Sequence, residues 1–391
     1  MKPRETLNDV LSNILSGTAR GNVESGTESL PGNAERERDR QIEFSLIFFS
    51  DVNQALANKY QLVFDLCAFA DQNGFTAVWL PERHFHPFGG IYPNPSVLAS
   101  ALAVRTKRLR IRSGSVVLPL HHPAEVVEAW SMVDNLSNGR VDLGFASGWD
   151  PNDFILSPET FATLREVWRD RIPMVQKLWR GEQIAFPNGR GELSQIRVYP
   201  PPIQKEVNVW LTVTKSDESF VYAGRKGYNV LTMLQGIDLD QLGGKIRLYR
   251  NARKESGLDE TGGTVTLMLH TFVNANLRIV EEAVREPFFA YIKSALSGHI
   301  KHFRPNETPT DAELNKIVDY SYERYFRTGA LFGSVADAKR TTERAISVGV
   351  NEIACLMDFG VDYQLVLDSL PFLLQLKEEM GAALGKVFAA R

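Results

Sequence analysis

The sequence predicts a (β/α)8 TIM barrel, the α/β fold in which eight parallel strands alternate with helices around a closed sheet. From residue 42 onward, short apolar runs typical of buried strands alternate with amphipathic helical patterns. The chain has 391 residues, of which 43% are hydrophobic, and this is enough for one large α/β domain. Two successive strand candidates are followed by histidine-rich loops, as expected at the carboxyl-terminal face where barrel enzymes carry their active sites.

Eight strands are predicted, each a short run rich in β-branched, aromatic or leucine residues. They cover residues 42–49, about 76–80, 110–118, 140–145, 208–213, 229–233, 264–273 and 352–357. Helices are predicted at 60–72, about 95–106, 124–136, about 159–180 and 216–226. Asn73 and Gly74 follow the first helix, as expected for a C-cap, and a Pro- and Gly-rich excursion occupies 186–202.

Three segments depart from this alternation. Residues 280–330 are too many for one strand-to-helix connection, so we expect a helical insertion after strand 7 that acts as a lid. Residues 1–40 are an N-terminal extension, either a solvated tail or a short docking helix for a partner. The barrel domain is expected to span 41–380, and a C-terminal tail to cover 381–391.

The charge balance and the cysteines limit the classes of function. The net charge is −3 and no basic stripe is present, so we expect no nucleic-acid partner. We expect no membrane span, because the sequence contains no run of eighteen apolar residues and no apolar core of a signal peptide. Cys67 and Cys355 lie in apolar patterns without a CxxC spacing, which suits a reducing cytosol and predicts a cytoplasmic protein.

The loops after strands 2 and 3 carry Glu82, Arg83, His84, His86, His121 and His122. Two such loops in succession indicate an enzyme. The spacing matches no standard zinc signature, so we expect no metal. No GxSxG, P-loop or strand-following GxGxxG pattern occurs, which argues against a nicotinamide Rossmann site.

The segment from Val213 to Ser219 marks the end of strand 5 and the start of a helix, with several hydroxyls and a lysine. Backbone N–H groups at a helix N-terminus can hold a phosphate, as late barrel loops do. An ordinary N-cap at Ser216 explains the same residues equally well. The residues alone leave both readings open.

Several segments in the correct order resemble the bacterial luciferase-like flavin monooxygenases: GFTAVWLPERHF, SGSVVLPLHHP, DNLSNGRVDLGFASGW and VNEIACLMDFG. The similarity runs from about Glu43 to about Leu374. GTVTLMLHTFV and RYFRTGALFG favour the branch found in natural-product assembly lines, with peptide synthetases or polyketide synthases. The resemblance implies a homodimeric barrel that uses reduced FMN from a separate flavin reductase, together with O2. It also implies a small-molecule or carrier-protein-bound substrate, such as an intermediate of antibiotic biosynthesis.

The resemblance assigns the catalytic positions. Glu82 and His84 match the glutamate and second histidine of the E-x-H pattern, and His122 matches another active-site histidine. Arg83 occupies the position where luciferase carries its catalytic histidine, so His84 is the better candidate for acid–base work. His270 is less certain, because a lone histidine on an apolar strand is more often a core residue.

The resemblance also assigns the flavin positions. Gly114–Ser115 matches a non-prolyl cis peptide beneath the flavin ring, and the loop that contains Ser147 and Trp149 lines the flavin. Ser147 stands where luciferase supplies an arginine to the phosphate, so the phosphate must find its cation elsewhere. The remaining candidate phosphate ligands are Arg165, Thr214, Lys215, Ser216 and Ser219.

Oxygenation by a reduced flavin requires a dry site that can close. The insertion and an apolar set of side chains are expected to exclude water; the set comprises Phe85, Phe88, Trp149, Met233 and Leu234. Two further functions remain open. One is a deazaflavin-dependent oxidoreductase of the same superfamily, which would transfer hydride without O2. The other is a non-catalytic protein that binds flavin or docks a partner.

Overall fold

The computed structural model describes residues 42–49, 58–86, 89–303 and 311–389. The extension predicted at 1–40 and the side chain of Phe88 lie outside these ranges. Within them, the strands are β1 Glu43–Ile47, β2 Ala77–Leu80, β3 Arg110–Ser113, β4 Val116–Val117, β5 Val141–Ala146, β6 Ile184–Pro187, β7 Leu193–Ile196, β8 Val209–Thr212, β9 Asn229–Met233, β10 Val265–Val273, β11 Ala330–Gly333 and β12 Glu352–Leu356.

The α-helices of the same ranges are α1 Gln61–Gln72, α2 Pro95–Arg105, α3 Pro123–Ser137, α4 Leu164–Trp179, α5 Asp217–Lys226, α6 Leu239–Glu255, α7 Leu277–Phe303, α8 Asp311–Arg324, α9 Val335–Ser347 and α10 Tyr363–Ala389. Short 3-10 turns lie at Leu118–Leu120, Asp153–Leu156 and Pro158–Thr163, and a π turn at Tyr325–Gly329. No helix in the described ranges is both long and apolar enough to cross a membrane.

Eight strands close into a parallel barrel, as predicted. Their order around the barrel is β1, β2, β3, β5, β8, β9, β10 and β12, and β12 pairs with β1 to close it. Helices surround this barrel, and their apolar faces pack on the outer side of the strands. The fold is therefore a (β/α)8 barrel whose strand carboxyl ends share one face.

The structure corrects three details of the predicted elements. The strand predicted at 110–118 is divided into β3 and β4, which a cis peptide between Gly114 and Ser115 separates. The excursion predicted at 186–202 contains an antiparallel hairpin, β6–β7. A strand that was not predicted, β11, pairs with the end of β10 just after the insertion.

The helical insertion predicted after strand 7 is present as α7 and α8, followed by the π turn. Two hydrogen bonds attach its end to the loop between β9 and α6. Arg324 Nη2 donates to the carbonyl oxygen of Ile237 at 2.7 Å, and the Tyr325 hydroxyl donates to that of Leu234 at 3.2 Å. The insertion is thereby docked against the carboxyl-terminal end of the barrel.

Charged side chains fill the amino-terminal half of the barrel interior. Arg112 donates from Nη1 to both oxygens of Glu352 at 2.8 Å, and from Nε to Asp142 at 2.9 Å. Its guanidinium lies 4.8 Å from the ring centre of Trp79 and 4.3 Å from that of Trp210. Protein encloses this network on all sides, so we expect it to stabilise the barrel rather than to act at the open face.

Candidate active site

Glu82 is the centre of a cluster at the carboxyl-terminal face. It follows β2, and its side chain is only 1% exposed. Its Oε1 lies 2.8 Å from His84 Nε2 and 2.5 Å from His121 Nε2. Its Oε2 accepts a hydrogen bond from the Val117 backbone N–H at 2.8 Å. The loops after two neighbouring strands therefore meet at one carboxylate, because parallel strands end at the same edge.

The charges of this cluster follow from these contacts. Burial raises the pKa of Glu82, but the hydrogen bonds from His121, His84 and Val117 outweigh burial and hold the pKa below its usual range. Burial lowers the pKa of His121, but Glu82 outweighs that effect and raises it above the usual value. An ionised carboxylate can only accept hydrogen bonds, so both histidines donate from Nε2. In a neutral imidazole of this tautomer, Nδ1 is the atom that can take up a proton.

The structure separates His121 from its neighbour His122. The ring of His122 lies 4.5 Å from that of Phe186 in β6, and its Nδ1 accepts from the Ala124 N–H at 3.2 Å as the N-cap of α3. Burial, together with Arg171, lowers the pKa of His122. Of the two histidines, His121 contacts Glu82, and His122 contacts the hairpin. The family resemblance assigned an active-site position to His122, whereas the contact with Glu82 is made by His121, which the resemblance did not single out.

Arg83 is held by acidic residues. Its Nη2 lies 2.9 Å from Asp150 and its Nη1 3.5 Å from Asp153, while its guanidinium lies 4.7 Å from the ring centre of Trp149. Burial raises the pKa of Asp153 to about 6, against the opposing effect of Arg83. Arg83 therefore ties the loop after β2 to the loop after β5. Its assignment to the catalytic set stays a prediction.

Two glycines, Gly114 and Gly148, lie in the backbone floor of this face. The Gly114–Ser115 peptide is cis, as predicted. A Cβ at Gly114 would lie 2.9 Å from Trp79 Cβ, and a Cβ at Gly148 would lie 2.8 Å from both Phe154 and Val117. Protein atoms therefore occupy the space beside each of these α-carbons, so only glycine fits at the two positions without a shift of its neighbours.

Polar and aromatic side chains border this floor. The hydroxyls of Ser115 and Thr212 are hydrogen-bonded to each other. The Ser147 hydroxyl donates to the Gly148 carbonyl at 3.3 Å, and Trp149 is exposed. Phe85 is exposed as well, Met233 is partly buried and Leu234 is buried. Of the four described members of the apolar set predicted to exclude water, Leu234 alone is buried.

The turn after β8 begins α5, and Ser216 is its N-cap. The Ser216 hydroxyl oxygen accepts from the Ser219 N–H at 3.3 Å and from the Ser219 hydroxyl at 3.1 Å. Thr214 is partly buried and Lys215 is exposed. The Lys215 side chain extends toward Gly236, where a Cβ would lie 2.6 Å from its ammonium nitrogen. The N-cap reading is confirmed, and the role in phosphate binding stays a prediction.

An arginine that sequence reasoning missed reaches this turn from α4. Arg169 Nη2 lies 2.8 Å from Glu218 in the first turn of α5, and its guanidinium lies 5.1 Å from the Tyr222 ring. Its Nε is buried without a hydrogen-bond partner among the described residues. Arg165 is exposed in the first turn of α4. The four-residue spacing places both arginines on one helix face, and this was the signal that could have identified Arg169.

His270 is buried on β10 among aromatic rings, as expected for a core histidine, but its Nε2 has no hydrogen-bond partner among the described residues. Within the described part of the chain, no group of three or more metal-ligating side chains is assembled.

Comparison with known proteins gives concordant results. The oxygenase component of the flavin-dependent trigonelline monooxygenase of Acinetobacter baylyi is 29% identical over 318 residues, which cover 78% of this chain and 85% of that protein. The oxygenating constituent of 3,6-diketocamphane monooxygenase from Pseudomonas putida, solved with FMN, has a TM-score of 0.63 at 19% identity and covers 86% of this chain and 96% of its own.

An F420-dependent secondary alcohol dehydrogenase has a TM-score of 0.62 at 15% identity and covers 84% of this chain and 97% of its own. These two solved structures show the shared fold. The sequence profile of the family described as "Luciferase-like monooxygenase" matches residues 42–344, which is most of the chain. The chain therefore belongs to the luciferase-like monooxygenase family.

Proposed function

We propose that this protein is the oxygenase component of a two-component monooxygenase that uses reduced FMN and O2. One observation carries the proposal: the Glu82, His84 and His121 cluster shares the carboxyl-terminal face of the barrel with the cis Gly114–Ser115 floor. The proposed substrate is an intermediate of natural-product biosynthesis, either free or bound to a carrier protein. The proposed assembly is a cytoplasmic homodimer served by a separate flavin reductase.

The residues fit FMN in two respects. The cis Gly114–Ser115 peptide is present at the position that the family resemblance assigns beneath the flavin ring. Arg169 carries a buried Nε without a partner beside the Ser216–Ser219 turn, where a phosphate would gain a charge-assisted contact. In this proposal Thr214, Lys215 and Arg165 assist at the phosphate. The flavin, when bound, supplies the electrons that activate O2.

The Glu82 cluster supplies proton transfer. Because Glu82 accepts from Nε2 of both histidines, it fixes their tautomer and leaves Nδ1 to exchange a proton with the substrate. The carboxylate also stabilises the imidazolium that forms when Nδ1 takes up that proton. His84 is 10% exposed and His121 is 24% exposed, so both are reachable from the open face while largely sheltered from water.

We expect the purified protein to bind FMNH2 better than NADPH, and to form product only when a separate reductase supplies the reduced flavin. The reason is that the sequence lacks a nicotinamide fingerprint. Equilibrium binding under anaerobic conditions measures the first point, and turnover with and without a reductase measures the second. Tight NADPH binding with direct hydride transfer to bound FMN would contradict the proposal. Turnover with reduced F420 in the absence of O2 would instead establish the deazaflavin alternative.

We expect Arg169→Ala to weaken FMN binding by roughly 1.5–3 kcal/mol, the value of a charge-assisted hydrogen bond, because the Arg169 guanidinium lies at the proposed phosphate site. Arg165→Ala and Lys215→Ala test the two cations predicted from the sequence in the same assay. Riboflavin, which lacks the phosphate, should bind all variants equally. Arg278→Ala, which removes an exposed arginine on α7, is the matched control. Equal losses for FMN and riboflavin would mean that the side chain is structural.

A further inference from the structure

A buried imidazole lies where the helical insertion meets the barrel. His270, on β10, is 5% exposed. Its ring centre lies 4.6 Å from that of Tyr291 and 4.7 Å from that of Phe288, both on α7. Tyr325 in the π turn and Phe359 after β12 complete the enclosure at 6.0 and 5.6 Å. All four rings meet the imidazole edge to face, so aromatic walls surround one polar ring.

This imidazole is a buried hydrogen-bonding group that the protein does not use. His270 Nε2 has no hydrogen-bond partner among the described residues. Burial lowers the pKa of His270 to about 3, so the ring is neutral at pH 7. A neutral imidazole donates from one nitrogen and accepts at the other. Buried polar atoms without a partner are rare and costly in folded proteins, so His270 Nε2 is suited to pair with a ligand.

The enclosure is continuous with the interior of the barrel. Tyr291 packs against the apolar cluster inside the barrel, as do Phe49 and Met268. Met268 precedes His270 by two residues and therefore lies on the same face of β10. Tyr291 and Tyr325 are partly exposed, whereas the other two walls are buried. These two tyrosines are therefore the walls that a ligand would have to pass, and one of them belongs to a π turn, an element frequent at functional sites.

We propose that His270 and its four aromatic walls form the substrate subsite, and that its ligand is an uncharged aromatic compound with a hydroxyl or carbonyl group. This inference rests on the proposed function, because it names the substrate class of the same site. Aromatic walls favour edge-to-face contact with another ring. None of the walls is charged and the imidazole is neutral, so loss of solvation disfavours a charged ligand. The hydrogen bond to His270 selects oxygenated rings over plain hydrocarbons.

The test uses two probes of similar shape, 1-naphthol and 1-methylnaphthalene, and the full-length protein without flavin. Equilibrium dialysis measures the affinity of each probe for the unaltered protein, for His270→Phe and for His270→Gln. We expect the unaltered protein to prefer 1-naphthol. His270→Phe should lose about threefold to tenfold of its affinity for 1-naphthol, the value of one net hydrogen bond. Its affinity for 1-methylnaphthalene should not fall, and His270→Gln should keep part of the preference.

Three results would overturn the inference. They are no binding of either probe, equal affinity of the unaltered protein for both probes, or an equal loss of affinity for both probes in His270→Phe. Circular dichroism and thermal melting show whether each variant is folded. If His270→Phe does not fold, the comparison is made with His270→Gln instead. Because dialysis needs neither flavin nor turnover, the result is independent of the proposed oxygenase activity. A failure of that activity would appear only in the FMN-binding and turnover assays.

Discussion

Replacing His84 with glutamine is expected to lower product formation by roughly 10²–10⁴-fold, the usual contribution of a general acid or base. Flavin oxidation should continue in the variant, with its electrons recovered as hydrogen peroxide. The reason is geometric: His84 Nε2 is fixed on Glu82 at 2.8 Å, which leaves Nδ1 for the proton that the substrate exchanges. Glutamine can keep a hydrogen bond to Glu82 but cannot take up a proton at pH 7.

Product formed per flavin oxidised is the quantity to measure, together with the yield of hydrogen peroxide. Binding of FMN should stay unchanged, because His84 is not among the proposed phosphate ligands. His121→Gln is expected to reduce coupling as well, since His121 shares Glu82 Oε1 at 2.5 Å. His122→Gln should have the smallest effect of the three, because His122 caps α3. An unchanged product yield in His84→Gln would show that His84 is only a loop histidine.

Arg112→Met is expected to lower the free energy of unfolding by about 3–5 kcal/mol, the cost of breaking a buried ion pair. Methionine fills a similar volume but leaves Glu352 and Asp142 charged and enclosed in the barrel. Chemical denaturation monitored by circular dichroism measures the change. Arg340→Met is the matched control, because Arg340 is 70% exposed in its pair with Asp337, and exposed pairs contribute about 0–1 kcal/mol.

The same variant should weaken the pH dependence of stability in acid. Burial raises the pKa of Asp142, but Arg110 and Arg112 outweigh burial and lower it below its usual range. A carboxylate with a lowered folded-state pKa loses its stabilising contribution as the pH falls through that pKa. Without Arg112, Asp142 keeps Arg110 but loses one of the two guanidinium groups that lower its pKa, so less stability should be lost as the pH falls. A variant as stable as the parent would show that the network does not hold the barrel together.

The eight barrel strands could be predicted because each is a short run of apolar residues, and such runs indicate buried strands. The strand β11 could not, because Ala330–Gly333 follows the helical insertion directly and pairs only at the end of β10. The hairpin β6–β7 alternates exposed and partly buried residues, so it lacked the apolar signal of a core strand. The division of the third strand depends on one peptide conformation, which the family resemblance indicated and composition did not.

The candidate site was only partly predictable, for a geometric reason. Glu82 and His84 lie two residues apart on one loop, so their proximity follows from local sequence. His121 and His122 are adjacent, and no pattern indicates which of them faces Glu82. The 3-10 turn at Leu118–Leu120 and the start of α3 at Pro123 together set the direction of each ring. The spacing from Arg165 indicates that Arg169 shares its helix face, but the contact of Arg169 with Glu218 depends on the packing of two helices, which the sequence does not show.

The two hydrogen bonds that dock the insertion both end on main-chain carbonyl oxygens, those of Leu234 and Ile237. Every residue type supplies this acceptor, so the docking does not depend on the identity of the side chains in the loop between β9 and α6. That loop can therefore accumulate substitutions while the insertion keeps its place over the barrel. Related enzymes could diverge in the substrates they accept through this loop without first having to evolve a new attachment for the insertion. A library of substitutions confined to residues 234–237 would test directly whether the loop tolerates change while the insertion stays docked.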